Sequence, residues 1–485
     1  TMDEYLDFVL DLPETRAVGL FIETARNPAG FRAALDKAAR KQIPVVAIKV
    51  GRTEESKQLM VSHSGAMAGD DAAYDALFDR YGVQRVRDMD ELATTLILFA
   101  ELDRVGGGDL VSLHDSGGER QLMIDLADEA GVTLTKLRPE TVAEIEAVLD
   151  PELPAVNPLD AWSRGGPDAS EQMAASLAAM LRDPGTALGA VIHDRAPYGK
   201  VYQSYLGYMK HAHQESGKPV ALVAARQGTG HDESVVDETA SGFPVLDNVP
   251  IFLRGVRALF DYRDFLERDD GPMPEVVAPA AEIEPGEAAA LKLLADFGLP
   301  VVPVTTINKE SAAVAATYPV VLKTAAPGIL HKSDVGGVLL NIGSEEQLRA
   351  AYAEMAGRLG PEALIAPMAG DGVEMMLGMR LDSQFGPVVL IGFGGVYAET
   401  LRDVAYALPP FTAEHARRCI DRLQLRPMLD GQRGQPASDI DAFCDAAARF
   451  SVMVEAMRDT LREVDVNPII VHESGCTIVD ALVVT

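Results

Sequence analysis

Apolar residues along this chain follow two rhythms. Short unbroken runs, such as Val18–Glu23 and Pro44-Val-Val-Ala-Ile-Lys-Val50, read as buried strands. Between them the spacing shifts to threes and fours, over Pro28 to Lys41 and Asp71 to Tyr81, which predicts amphipathic helices. Asp109–His114, Ala190–His193 and Val220–Ala224 continue the strand series, and a helix to about Ala130 follows the first of them. Strands alternating with helices predict parallel βαβ units and the α/β class. Residues 1–103 and 104–265 therefore read as two doubly wound sheets. The first opens directly in a helix, which predicts a domain incomplete at its N-terminus. Residues 266–283 lose periodicity and turn to Pro, Ala and acid, the signature of a linker. Over 284–485 the pattern resumes, with strands expected at Val301–Thr305, Val320–Lys323, Val373–Gly378 and Val388–Phe393.

Composition narrows the function. With 485 residues there is chain for about three domains with full cores. Lys and Arg number 43 against 73 Asp and Glu, a net charge of −30, which argues against a basic face for nucleic acid or anionic membrane. Three cysteines, Cys419, Cys444 and Cys476, imply no disulfide framework. No apolar run is long enough for a bilayer, and the acidic start Thr1-Met2-Asp3-Glu4 is not a signal peptide. A reducing compartment, the cytoplasm, is expected.

Candidate chemistry sits at strand ends. Ser62-His63-Ser64-Gly65 lies in a small-residue loop beyond the strand that ends at Val50. That edge of an α/β sheet is where ligands bind, and a neutral imidazole there can act as a nucleophile. On this stretch alone, a loop histidine satisfied by water reads equally well. Ser116-Gly117-Gly118 follows Asp109–His114 at once; glycines there expose the first helical N–H groups to an anion, though an ordinary capped turn is the plainer reading of the spacing. Asn157-Pro158-Leu159-Asp160-Ala161-Trp162 is a loop bearing the sole tryptophan.

In the last section Lys323 ends a strand and can reach a phosphate as a point charge. The loop through His331, Lys332, Gly336 and Gly337 can close over that phosphate. Glu374 is a single carboxylate on its strand, and Gly394-Gly395 follow the next one. Glu463, Asp465 and Asn467 share one strand face, with Asp480 on what reads as the paired strand. Hard oxygens so placed suit Mg²⁺ bridging nucleotide phosphates. A solvated sheet face explains any one of these acids, but not the lysine, glycine loop and Asn/Asp pair together.

These motifs carry a resemblance. Pro319-Val-Val-Leu-Lys323, His331-Lys-Ser-Asp-Val-Gly-Gly337, Gln384-Phe-Gly-Pro387, Gly392-Phe-Gly-Gly395 and Asp465-Val-Asn-Pro468 resemble the ATP-grasp part of ADP-forming (NDP-forming) acyl-CoA synthetases. Ser62 to Gly69, Ser116 to Gly118 and Asn157 to Asp160 are similar to that family's two succinyl-CoA-ligase-like domains, of flavodoxin-like fold. The likeness covers essentially the whole chain in the family's order. It implies that His63 is the phosphohistidine, set among Ser62, Ser64 and Gly65, and that His331 shuttles phosphate to it. Ser116, Gly117 and Gly118 would hold phosphate, with Asn157, Asp160 and Trp162 near the acid. Lys323, Lys332, Gly336, Gly337, Met368, Glu374, Gly394 and Gly395 would contact ATP, and Asp465, Asn467 and Asp480 would hold Mg²⁺.

The implied reaction joins a small carboxylic acid to CoA through phosphohistidine and acyl phosphate, in a homo-oligomer, a dimer. The family's leading Rossmann-type CoA-binding domain and the Ser-Gly helix before His63 do not occur in this sequence, so either a fragment is expected or the missing part lies on another polypeptide. Two other readings use the same residues: a lyase coupled to the acyl-CoA, and a non-catalytic nucleotide- or acyl-CoA-sensing module. Trp162 would favour a flat or apolar acid, although an isolated tryptophan also serves packing.

Overall fold

The computed structural model describes residues 1–53, 55, 71–102, 104–162, 168–194, 200–226, 232–275, 285–310, 313–314, 317–329, 332–395, 403–431, 434 and 436–485. Contacts gather the chain into two compact units, Thr1–Ala68 with Tyr81–Arg268, and Gly69–Arg80 with Asp269–Thr485.

The first unit holds two parallel sheets. Strands β1 (Val18–Ile22), β2 (Val45–Lys49) and β3 (Gln84–Arg85) pair in that order. Asn27 caps the helix Pro28–Lys41 by accepting from the Gly30 N–H at 3.1 Å, and Asp88 caps Met89–Glu101 in the same way. The second sheet comprises β4 (Asp109–His114), β5 (Leu159–Asp160), β6 (Thr186–His193), β7 (Val220–Ala224) and β8 (Val245–Asp247). Its order is β5-β4-β6-β7-β8, all parallel, which is the flavodoxin-like winding. Every residue of β6 and β7 is buried, which is why these strands read as continuous apolar runs. Met173, Leu177, Leu206 and Met209 join one core cluster, while Met123, Phe252, Leu253 and Val256 join another with the sheet's remaining side chains. The strand order reverses between β4 and β6, so the crevice at their C-terminal ends is the switch point where such sheets bind ligands.

The second unit is built from antiparallel strands: β9 (Thr305–Ile307), β10 (Val320–Thr324), β11 (Val338–Ile342), β12 (Ala363–Pro367), β13 (Val373–Asp382), β14 (Gly386–Phe393), β15 (Val404–Ala407), β16 (Glu463–Val471), β17 (Cys476–Ile478) and β18 (Leu482–Val484). One sheet runs β11-β10-β12-β9 and packs on Glu345–Leu359; the other runs β15-β14-β13-β16-β17, with β18 also on β16. Met375, Leu377 and Met379 of β13 join Phe443, Phe450 and Met453 of the helix Ile440–Ala456 in its core, leaving Glu374 on the other face. The strand expected at Val301–Thr305 begins only at Thr305; Val301 forms an isolated bridge with Ile478, and Pro303 has no N–H for a ladder.

The helix Asp71–Tyr81 gives residues 71–80 to this second unit. Tyr74 donates to Gln384 at 3.1 Å, Arg80 donates to the Leu408 and Pro410 carbonyls, each at 3.1 Å, and Asp79 pairs with Arg422 at 2.6 Å. Among the described residues no helix is long and apolar enough to cross a membrane.

Candidate active site

Two places bring candidate residues together, one in each unit. In the second unit β10 is buried throughout, and Lys323 sits on it with 7% exposure. Its ammonium donates to Glu287 Oε1 at 2.7 Å, to the Val479 carbonyl at 2.7 Å and to Asp480 Oδ2 at 3.1 Å. Lys332 pairs with the other oxygen of Glu287 and lies 3.5 Å from Asp480 Oδ1. Two ammoniums thus face two carboxylates, and the neutral sum is what makes burial of four charges tolerable. Burial works against the charge on Lys332, but Asp480 and Glu287 more than offset it and hold its pKa above the ordinary value. The group stays an ammonium.

This cluster opens on a cleft of about 1160 Å³, lined among others by Lys323, Met368, Glu374, Asn467 and Asp480. Gly394 and Gly395 back two of the lining residues, Glu374 and Asn467. Gly395 has φ +60, and a Cβ there would collide with the Glu374 carboxylate. Gly394 donates to the Glu374 carbonyl at 2.8 Å, and a Cβ on it would lie 2.9 Å from Asn467 Oδ1. The Gly395 N–H reaches that same oxygen at 3.3 Å. Gly336 (φ +61) turns the chain so that Gly337 donates to the Lys332 carbonyl at 2.7 Å and accepts from Thr324 at 2.8 Å. Met368 donates to the Pro319 carbonyl at 3.2 Å.

Asp480 and Asn467 offer hard oxygens on one cleft. Among the described residues no group of three or more His, Cys, Asp or Glu could hold a metal by itself. One carboxylate and one amide oxygen fit Mg²⁺, which takes few protein ligands and completes its shell with phosphate and water. Asp465 does not join them: it is exposed on β16, paired in register with Gly378 and Leu482, and is absent from the cleft lining.

In the first unit the switch point gathers Ser116, Gly117, Asp160 and Trp162. Ser116 is the N-cap of Gly117–Ala130, and its side chain makes no capping bond, so the first-turn N–H groups are not spent on it. Asp160 Oδ1 accepts from the Trp162 N–H at 3.3 Å, and a Cβ on Gly117 would lie 3.3 Å from Asp160 Oδ2. Gly118 is more open, its nearest neighbour for a Cβ being Ser116 Oγ at 3.8 Å. Asn157 is a correction. Its Oδ1 accepts from Ser112 at 3.0 Å and its Nδ2 donates to the Leu110 and Thr135 carbonyls at 2.9 and 3.0 Å, so it fastens β4 to the loop and has no amide left for a substrate.

Acids ring this edge. Asp115 accepts from the Tyr205 hydroxyl at 2.6 Å. Burial first, then repulsion from Asp115, Asp194 and Asp160, pushes the Glu119 carboxyl up to about 7, and its Oε2 is buried without a hydrogen bond. Burial with help from Arg120 depresses His114 to about 3, so that imidazole, 2.9 Å from Ser112 Oγ, is neutral.

Ser62, His63, Ser64, Gly65 and His331 lie outside the described residues. Two residues escaped the sequence reading. Glu287 looks like any acid in a first helical turn, and only the fold shows it between two lysines. Glu119 differs from other helix acids through its burial and through Asp115, Asp194 and Asp160, of which Asp160 and Asp194 come from distant parts of the chain.

Comparison with known proteins follows the same division. The family model described as an ATP-grasp domain matches residues 282–485, and that of a succinyl-CoA ligase like flavodoxin domain matches residues 1–99. A trans-feruloyl-CoA synthase from an unknown prokaryotic organism is 30% identical over 495 residues, covering 98% of this chain and 69% of the relative. The ADP-forming acetate–CoA ligase I of Archaeoglobus fulgidus is 30% identical over 505 residues, covering 98% of this chain and 71% of that protein. A 4-hydroxybutyrate–CoA ligase of Nitrosopumilus maritimus, also ADP-forming, is 28% identical with the same two coverages. Among solved structures, a chain of the dinucleotide-forming acetyl-coenzyme A synthetase 1 of Ca. Korarchaeum cryptofilum aligns at 34% identity and TM-score 0.39, over 41% of this chain and 92% of that one.

Proposed function

This chain belongs to the ADP-forming acyl-CoA ligases, and from that premise we propose how its residues divide the work of joining a small carboxylic acid to CoA at the expense of ATP. A carboxylate becomes an acylating agent only when one oxygen turns into a leaving group, and phosphorylation does this. In our reading the cleft of the second unit takes ATP. Lys323 and Lys332 turn from the carboxylates toward its phosphates, Glu374 and Met368 bound the pocket, and Gly336, Gly337, Gly394 and Gly395 let backbone approach the ligand. Asn467 and Asp480 would hold Mg²⁺, which supplies charge neutralisation between the phosphates.

His331 accepts the γ-phosphoryl group as ADP leaves, and His63 takes it in turn. The acid carboxylate then displaces His63 from phosphorus, giving acyl phosphate, and CoA thiolate attacks the carbonyl with release of phosphate. The first turn at Ser116, Gly117 and Gly118 receives the phosphoryl group through backbone N–H groups, and Asp160 and Trp162 flank the acid. A homodimer and a cytoplasmic location complete the proposal; three buried free thiols, Cys419, Cys444 and Cys476, fit a reducing compartment.

The observation that carries this reading is the paired cluster Lys323–Glu287–Lys332–Asp480, of which Lys323 and Asp480 line a cleft with room for a nucleotide. Labelled ATP with Mg²⁺ tests it. Acid-labile, base-stable label should appear on the chain, and His331→Ala should abolish it while His63→Ala retains it on His331. Undiminished labelling of His331→Ala overturns the relay.

A further inference from the structure

A second cavity, of about 720 Å³, belongs to the first unit and plays no part in the reaction above. Its walls come from Thr15 and Arg16 before β1, from Gln42 to Pro44 before β2, and from the last turns of Met89–Glu101 and Val249–Leu266. It therefore sits at the N-terminal ends of β1 and β2, whereas ligands of α/β sheets react at the C-terminal ends. Its volume is in the range of sites that bury a small organic molecule.

Tyr262 is the group out of place. The residue is 7% exposed, its ring packs on Phe99 and Phe265, and its hydroxyl is buried without a hydrogen bond. Native structures seldom leave such a group unsatisfied, because its desolvation is uncompensated. Arg104 also lines the cavity and spends one N–H on Gln42 Oε1 at 2.8 Å, out of the five its guanidinium carries. Its charge is felt at the Tyr262 hydroxyl, where it opposes the rise in pKa to about 12 that burial causes.

The surroundings favour an anion with an apolar body. Of the cations lining the cavity, Arg16, Lys41 and Arg263 pair with Glu101, Asp11 and Asp264, which among the described residues leaves the Arg104 guanidinium for a ligand. A helix C-terminus would repel an anion, but Arg16 covers the Ala100 carbonyl at 2.7 Å. Arg263 likewise donates to the Gly106 and Gly108 carbonyls at 3.1 and 2.8 Å. Leu98, Phe99, Leu259 and Leu266 supply the apolar wall.

We propose that this cavity binds a small aromatic carboxylate, its carboxylate bridging the Arg104 guanidinium and the Tyr262 hydroxyl and its ring lying against Leu98, Phe99 and Leu259. The occupant is a bound effector rather than a reactant, since the site lies at the wrong end of the sheet for the acyl transfer.

Photolabelling the full chain with 4-benzoylbenzoate, followed by peptide mapping, tests this. Label is expected within residues 98–105 or 259–267, with protection by benzoate. Tyr262→Phe keeps both ring contacts, and Arg104→Lys keeps the charge but loses the fork. Each should lower that labelling about tenfold, as loss of a charge-assisted hydrogen bond does, while thermal melts confirm folding. Absence of label from both segments at saturation overturns the site, as does undiminished labelling in both variants. Protection by benzyl alcohol or by inorganic phosphate as strong as that by benzoate overturns the ligand class.

Discussion

The cleft of the second unit and the switch point of the first both gather carboxylates, and they settle them in opposite ways. In the cleft, Glu287 and Asp480 meet Lys323 and Lys332, and every charge has a partner. At the switch point Glu119 is half-buried near Asp115, Asp160 and the exposed Asp194, and it keeps a proton to about neutrality. The difference suits different visitors. A lysine already desolvated beside a cleft, as Lys323 is, is ready for a polyanion that can exchange with the carboxylates. Carboxylates around a helix N-terminus make an anion's stay brief, which serves a station that passes phosphate onward; a protonated Glu119 can donate a hydrogen bond where an ionised one would repel.

The sharpest way to break this contrast is to remove Glu287. Breaking a buried pair from one side leaves its partners uncompensated, and such losses run to about 3–5 kcal/mol. Glu287→Ala should lower the urea midpoint of the second unit accordingly, even without nucleotide. An unchanged midpoint means the four charges are not coupled as their distances indicate.

Next comes Lys323→Met, which removes one of the two ammoniums from the ligand's side. Loss of one preorganised donor to a transferring group costs about 10²–10³ in rate. Phosphohistidine labelling from ATP should fall by that factor while the fold persists. If Lys323→Met labels normally, Lys323 serves only to neutralise Glu287.

The switch point answers through pH. In the folded chain Glu119 binds its proton up to about pH 7, against an ordinary value of 4.5. Between those values the folded state holds a proton that the unfolded state has lost, so stability from this group is complete below 4.5 and drains away as pH rises through 7. Glu119→Gln, neutral throughout, should melt like the parent near about pH 4.5 and increasingly above it toward about pH 8. Two melting curves separated by a constant offset would remove the raised carboxyl from the account.

Much of this was legible in the chain. Unbroken apolar runs marked β2, β6 and β7 because buried parallel strands have no polar face, and Lys323, Glu374 and Asn467 stood out against the strands that carry them. What stayed hidden depends on distance in sequence. Glu287 precedes Lys323 by 36 residues and Asp480 follows it by 157. Asn157 misled for the converse reason: beside Asp160 it reads as part of a ligand loop, yet its partners Leu110, Ser112 and Thr135 lie far back in the chain. Pro303 shortened a strand whose apolar spacing looked sufficient.

The smallest effect expected is optical, and it separates the two places without mutation. Trp162 is the sole tryptophan, 38% exposed, with its backbone N–H on Asp160 at the switch point. A carboxylic acid bound there would displace water from the indole and bring a carboxylate near its edge, changing emission through polarity and contact. In the proposed division ATP with Mg²⁺ takes the cleft of the other unit, which has no tryptophan in its lining. Titration with an acid shown by calorimetry to bind should therefore shift Trp162 emission modestly, and a non-hydrolysable ATP analogue should leave it unchanged. An acid that binds without altering emission places its pocket away from Asp160 and Trp162. A shift produced by the analogue alone means that the two places are coupled before any phosphoryl group moves.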